Sequence, residues 1–197
     1  VLTDGSGPLV LLDLKGGITE AAREFVSEHL AAAQADNAQA LIITLDTPGG
    51  LLQATREMVA EFLNSDVPVV VWVGPPGARA GSAGVFITMA AHVAAMAPGT
   101  NIGAAHPVSA FGGDIEGEMK KKVANDTVAW ARAIAAERGR NADWAAQAVS
   151  ESASITADRA VALRVVDYKA RTLDQLIEGL DGRVVQLAEH RVTLRTA

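Results

Sequence analysis

Three segments of the chain repeat one order: a short apolar run, a loop, and a helical pattern of apolar residues. The apolar runs occupy 8–14, 40–45 and 67–73, and the helical patterns follow at 19–35, 51–63 and about 82–91. Apolar runs of strand length that lack polar alternation are typical of strands buried on both faces. Serial β-loop-α units join parallel strands by right-handed crossovers. The repeat therefore predicts an α/β fold with a mainly parallel sheet.

The length of 197 residues suits one such fold with a single core. Aliphatic residues must build that core, because 49% of the residues are hydrophobic and only 4% are aromatic. We expect one domain over 1–197, with its main part at 9–169 and a C-terminal helix and hairpin at 170–197. A further helix is predicted at 119–138, stopped by Gly139, and the polar, glycine-bearing stretch 109–117 before it is a candidate mobile flap.

Charge and composition exclude several functions. The formal net charge is −6, and the only dense basic run is the three lysines at 120–122, too small a footprint for a nucleic acid backbone. The absence of cysteine excludes thiolate metal sites and a cysteine nucleophile. We expect no metal and no cofactor. No apolar stretch reaches the roughly 18–20 residues that span a bilayer.

Two glycine-bearing loops follow the ends of successive predicted strands, where open α/β sheets place their ligands. The first is residues 46–50, whose glycines Gly49 and Gly50 leave backbone N–H groups for an oxyanion hole. The second ends at Ser82, where a helix begins and the N–H of Ala83 is available. The two loops should face one crevice and together supply a nucleophile and two donors. The same residues could also be only a turn and a helix N-cap, and the spacing does not decide between these interpretations.

Three motifs in combination are more specific. They are Leu-Asp-Thr-Pro-Gly-Gly at 45–50, Pro-Pro-Gly-Ala-x-Ala-x-Ser-Ala-Gly at 75–84, and Met-Ala-Pro-Gly-Thr-Asn-Ile-Gly-Ala-Ala at 96–105. This combination resembles the membrane-associated NfeD-type serine peptidases of the ClpP class, within the ClpP/crotonase superfamily, over roughly residues 9–169. The resemblance implies an acyl-enzyme mechanism with a Ser–Lys dyad. It makes Ser82 the nucleophile and Gly50 and Ala83 the oxyanion donors.

The lysine of the implied dyad is less clearly indicated. Counting back from the family segment 138–141 assigns it to Lys122. Helical periodicity makes Lys121 the most outward of the three, and slightly favours Lys120 over Lys122 at the border of the apolar face. We follow the count from the family segment and expect Lys122 to be the base. A lysine that acts as a base needs a pKa lowered from about 10.4 towards 7–8, and desolvation in an apolar cleft is the available cause.

His106 offers an alternative base, because it follows Ser82 by 24 residues and resembles the catalytic histidine of ClpP. A Ser–His–Asp relay also needs a carboxylate. The corresponding position in this chain is about Ser152, so that acid is absent at its place, although the neighbouring Glu151 could substitute.

The resemblance also implies a substrate and a location. It suggests an endopeptidase that cleaves an apolar segment of a stomatin-like membrane protein, bound as an added strand beside residues 50–52. The full-length protein would carry an export signal and membrane helices, with this soluble domain on the extracytoplasmic, periplasmic side, and would form a homo-oligomer. The competing hypotheses are a crotonase-type acyl-CoA hydratase or isomerase, and a non-catalytic scaffold that binds stomatin-like partners.

Overall fold

The computed structural model describes residues 2–108 and 116–197, and for residues 2–5 the backbone alone. The strands are β1 (Leu2–Gly5), β2 (Leu9–Lys15), β3 (Ala40–Asp46), β4 (Val69–Val73), β5 (Arg79–Gly81), β6 (Val93–Met96), β7 (Asn101–Gly103), β8 (Ser154–Thr156), β9 (Tyr168–Lys169), β10 (Val184–Gln186) and β11 (Arg191–Leu194). The helices are α1 (Glu20–Ala35), α2 (Leu52–Leu63), α3 (Ala83–Ala90), α4 (Gly117–Glu137), α5 (Ala142–Ser150), α6 (Ala157–Ala162) and α7 (Leu173–Leu180).

A five-stranded sheet in the order β2-β3-β4-β6-β9 forms the centre, and all its strand pairs are parallel. The three predicted β-loop-α units supply its first three strands, with α1, α2 and α3 after them in the chain. The predicted α/β fold with a mainly parallel sheet is therefore confirmed.

The sheet is buried on both faces, which explains why its strands are continuously apolar. Along β3, Leu41, Ile43 and Leu45 enter the larger core, which also takes side chains from α1 to α6. Ala40 and Ile42 point to the other face, which is covered by α7 and the terminal hairpin. The two cores follow from the alternation of side chains along a strand.

Two small sheets flank the central one. The first, β5-β7-β8, pairs β5 with β7 in parallel and β7 with β8 in antiparallel orientation. The second, β1-β11-β10, contains the hairpin predicted near the C-terminal end of the chain. The first small sheet carries the glycine-rich loop that ends at Ser82, and so it positions the candidate site.

The long helix α4 ends close to the predicted point, where Gly139 has a φ of +65°. Its start differs, since Gly117 belongs to the helix and not to the proposed flap. The remainder of that flap, residues 109–115, lies outside the described residues. Among the helices of the described ranges, none is both long and apolar enough to cross a membrane.

Candidate active site

The two glycine-bearing loops run side by side, as the sequence predicts. Thr47 forms an isolated parallel bridge with Ala80. The N–H of Thr47 donates to the carbonyl of Arg79 at 2.8 Å, and the N–H of Gly81 donates to the carbonyl of Thr47 at 3.0 Å. This parallel pairing brings the end of the first loop towards Ser82.

Gly49 lies directly against Ser82. A Cβ atom built on Gly49 would lie 2.7 Å from Cβ and 3.2 Å from Oγ of Ser82, and the φ of Gly49 is +123°. Both the space and the backbone conformation require glycine at this position. The first loop therefore forms one wall of the space around the Ser82 hydroxyl.

The backbone amides of the first loop have different partners. The N–H of Gly49 donates to Oγ1 of Thr47 at 3.1 Å, so the prediction that both glycine amides are free is wrong for Gly49. The carbonyl of Gly49 accepts from the N–H of Ile18, and the N–H of Leu51 donates to the carbonyl of Ile18. The N–H of Gly50, which lies between them, therefore points away from Ile18. Within the described part of the chain, neither the N–H of Gly50 nor that of Ala83 has a hydrogen-bond acceptor.

Ser82 occupies a strained backbone conformation between β5 and α3. Its φ is +51° and its ψ is −109°, outside the regions that side-chain-bearing residues normally adopt. The N–H of Ser82 donates to the carbonyl of Gly103 at 3.0 Å, which fixes the turn to β7. The Ser82 side chain makes no capping hydrogen bond to α3. The structure thus offers no support for the interpretation of Ser82 as an ordinary side-chain cap.

Thr47 and Gly84 hold this geometry, a role that was not predicted from the sequence. Thr47 is fully buried, and its hydroxyl orients Gly49 from two positions earlier in the chain. Gly84 lets the start of α3 approach Thr47, because a Cβ on Gly84 would lie 2.8 Å from its Cγ2. A threonine two residues before a turn glycine is a recognisable signal for such a side-chain hydrogen bond.

The three lysines at 120–122 occupy the first turns of α4, and all three are exposed. Lys121 forms an ion pair with Glu118 at 3.6 Å, which agrees with its outward position on the predicted helix. In the described residues, neither Lys120 nor Lys122 has an ion pair or a side-chain hydrogen bond. Lys122 is exposed, so the described part of the chain does not provide the desolvated environment expected for a lysine base.

His106 is half-buried, and its Nδ1 lies 2.9 Å from the carbonyl oxygen of Val149. A carbonyl only accepts, so Nδ1 is the donor of this hydrogen bond. Glu151 is exposed and does not hold the ring. The partner that orients His106 is therefore a neutral carbonyl, and Glu151 does not substitute for the carboxylate of a relay.

These features define an α/β protein with the ClpP-like peptidase fold. ClpP1 of Listeria monocytogenes superposes with a TM-score of 0.66 over 85% of this chain and 94% of that chain, at 21% identity, which establishes the fold alone. The family model of the NfeD1b N-terminal domain matches residues 10–183. The chain belongs to the family of NfeD1b N-terminal domains.

Two further matches are more similar in sequence. The membrane-bound protease PH1510 of Pyrococcus horikoshii is 37% identical over 171 residues, which cover 86% of this chain and 38% of that protein's length. The 1510-N membrane-bound stomatin-specific protease, in a lysine-to-alanine mutant bound to a substrate peptide, superposes with a TM-score of 0.90. That match has 34% identity and covers 97% of this chain and 89% of that chain. The same protease has also been solved as a serine-to-alanine mutant.

Proposed function

We propose that this domain is a serine endopeptidase with Ser82 as its nucleophile. The observation that carries the proposal is the position of Ser82, in a strained turn against Gly49 and beside the N–H groups of Gly50 and Ala83, which lack an acceptor among the described residues. Serine nucleophiles of other α/β enzymes also sit on strained strand-to-helix turns that expose the hydroxyl. The protease activity of the relatives named above supports the same assignment.

The proposed reaction begins when Ser82 Oγ attacks the carbonyl carbon of a peptide bond and its proton passes to a base. The carbonyl oxygen becomes an oxyanion, which accepts hydrogen bonds from the N–H groups of Gly50 and Ala83. Each such donor typically contributes about 3–4 kcal/mol to transition-state stabilisation. The C–N bond then breaks, the base returns the proton to the leaving amine, and water hydrolyses the acyl-serine.

Lys122 is the base that we propose. In the relative, the sequence separation between the replaced serine and the replaced lysine is one residue longer than the separation between Ser82 and Lys122. Lys120 and Lys121 lie nearer to Ser82 in the chain and fit that spacing less well. Lys122 faces solvent here, so a substrate that binds over the start of α4 would supply the desolvation that a lysine base needs.

The proposed substrate is an extended peptide with an apolar segment. The N–H of Gly50 faces away from Ile18, so a peptide added as a strand along this short edge would place its scissile carbonyl where that N–H can donate. This edge is shorter than the sequence predicts, since Leu52 already belongs to α2. Leu51 and Leu52 expose 48% and 42% of their surface beside it, which favours apolar side chains on the peptide. The relative acts on a stomatin homolog, and we extend that substrate class to this domain.

We further propose that the domain works as part of a membrane-bound protein, on the extracytoplasmic side, and as a homo-oligomer. The relative is membrane-bound, and the chain spans about 38% of that relative's length. A protease tethered near the bilayer would meet apolar segments of membrane proteins at high effective concentration.

A fluorophosphonate probe and an apolar peptide with a fluorogenic bond test this function. We expect the unmodified chain to be labelled on Ser82 and to cleave the peptide, and Ser82→Ala to lose both. Ser150→Ala is the matched control, because Ser150 is an exposed serine whose hydroxyl bonds the Ala146 carbonyl in α5. Failure of the unmodified chain to react with the probe would favour a hydratase or a binding scaffold.

A further inference from the structure

The first turns of α4 lie at the surface of the protein. Residues 117–122 are all exposed, and Thr127 is the first buried residue of the helix. Lys122 therefore lies on a stretch whose own side chains do not enter the core. The position of its amine relative to Ser82 depends on the contacts made by the turns that follow.

One long side chain from α2 makes two of those contacts. Arg56 Nη2 bonds Oδ2 of Asp126 at 2.5 Å, and the Arg56 guanidinium carbon lies 4.3 Å from the ring centroid of Trp130. Asp126 and Trp130 are one turn apart, and Lys122 is one turn before Asp126. The three residues therefore follow one side of α4, and Arg56 contacts the two that lie nearest the body of the protein.

The same cluster extends to the helix that begins after Ser82. The Trp130 ring stacks on Phe86 of α3, with 4.4 Å between centroids and an interplanar angle of 20°. Phe86 is buried and lies four residues after Ser82. Arg56, Trp130 and Phe86 thus connect three helices. α2 follows the Gly49-Gly50 loop, α3 follows Ser82, and α4 carries Lys122.

The acidic residues that follow Arg56 on α2 pair with a different arginine. The next residue on α2, Glu57, pairs with Arg23 of α1 at 3.0 Å, and Glu61 pairs with the same arginine at 3.6 Å. Asp126 is accordingly the carboxylate that Arg56 engages. An arginine suits the position because its planar guanidinium can bond a carboxylate and stack on an aromatic ring at the same time.

We propose that Arg56 is a positioning residue for peptide hydrolysis: it holds the exposed start of α4 so that Lys122 reaches Ser82. This inference rests on the proposed function, and it adds a residue that lies outside the nucleophile, the base and the oxyanion hole. Misplacing a catalytic group by about 1 Å can cost up to about 100-fold in rate. An exposed ion pair, by contrast, adds little to stability.

Steady-state kinetics and the rate of fluorophosphonate labelling of Ser82 test the role in Arg56→Gln and Asp126→Asn. We expect kcat and the labelling rate to fall by about 10-fold or more in both variants, with KM within about 2-fold of the unmodified chain. The thermal midpoint should shift by only a few degrees. Arg56→Lys, which keeps the ion pair, should recover part of the lost rate.

Arg132→Gln is the matched control, because Arg132 pairs with Asp143 at 2.8 Å from the same helix but farther from Lys122. It should leave kcat unchanged. Normal labelling and kcat in Arg56→Gln would overturn the positioning role alone. A fall of the same size in Arg132→Gln, or a loss of rate that merely follows a collapse of the thermal midpoint, would also overturn it. No labelling of the unmodified chain would instead overturn the proposed function, and this role with it.

Discussion

Gly49 and Ser82 are in such close contact that a single methyl group on Gly49 would lie 2.7 Å from Cβ of Ser82. The pair joins two loops that are more than thirty residues apart in the chain, each at the end of a different strand. Real Cβ atoms do not approach this closely, so any side chain at position 49 must displace the serine or its turn.

Gly49→Ala should therefore abolish activity. We expect the labelling of Ser82 by a fluorophosphonate to fall by about 100-fold or more, because the serine turn has to move. Gly77→Ala is the control for backbone strain alone, since Gly77 has a φ of +97° but open space where an added methyl group would lie. Equal losses in the two variants would show that backbone conformation, and not the contact with Ser82, is responsible.

The identity of the base is decided by comparing Lys122→Ala with His106→Ala. We expect Lys122→Ala to lose acylation of Ser82 with its circular dichroism spectrum unchanged, and His106→Ala to keep most of the activity. Lys121→Ala is the control for loss of a surface charge, as Lys121 pairs with Glu118. Full labelling of Lys122→Ala together with an inactive His106→Ala would replace the dyad by a serine–histidine pair.

His92 should make the fold sensitive to acid. Burial, with the nearby charges of Arg138 and Arg140, lowers the pKa of His92 from 6.5 to about 3. Its Nδ1 accepts a hydrogen bond from the N–H of Val69 at 3.0 Å, which requires the unprotonated atom. The unfolded chain binds a proton near pH 6.5 and the folded chain does not, so stability is full above pH 6.5 and falls as the pH drops towards 3.

The measurement is urea denaturation between pH 7 and pH 5, above the range in which ordinary carboxyl groups titrate. We expect His92 to contribute a decline of at most about 1.4 kcal/mol per pH unit, and His92→Asn to remove that part of the slope. His29→Asn is the control, because His29 of α1 is only half-buried. An unchanged slope in His92→Asn would contradict the assignment.

Arg140 should be a determinant of stability and not of catalysis. Its buried guanidinium donates to the carbonyl oxygens of Met89 and Ala91 and to the carboxylate of Asp167. Removing the group leaves buried acceptors without a donor, so Arg140→Met should cost about 3 kcal/mol of unfolding free energy, measured by urea denaturation. Arg132→Met removes a more exposed ion pair and should cost less than about 1 kcal/mol. A loss below about 1 kcal/mol in Arg140→Met would refute this role.

Much of the fold could be predicted from local patterns. The continuous apolar runs of β3 and β4 indicate strands buried on both faces. Asparagine is a residue type that favours helix N-caps, and Asn141 caps α5 by accepting from the N–H of Trp144. The pairing of the loop at 46–50 with the loop before Ser82 was also predictable. Loops at the carboxyl ends of neighbouring parallel strands open on the same side of a sheet.

The partners of individual polar groups could not be predicted, because they depend on distances between segments remote in sequence. The amide of Gly49 bonds the Thr47 hydroxyl, and His106 faces the carbonyl of Val149 from 43 residues away. The contact of Arg56 with Asp126 spans 70 residues and leaves no periodic signal. The assignment of Ser82 and Lys122 to catalysis stays a prediction, which the variants above test.

The order and periodicity of apolar residues predict the parallel α/β architecture, the two glycine-bearing loops and a serine at the start of α3. The folded structure was needed to show that Ser82 adopts a strained turn against Gly49, that the amides of Gly50 and Ala83 find no acceptor in the described ranges, and that Lys122 lies on an exposed helix end. These properties arise from packing and hydrogen-bond competition between distant segments, which local pattern does not encode.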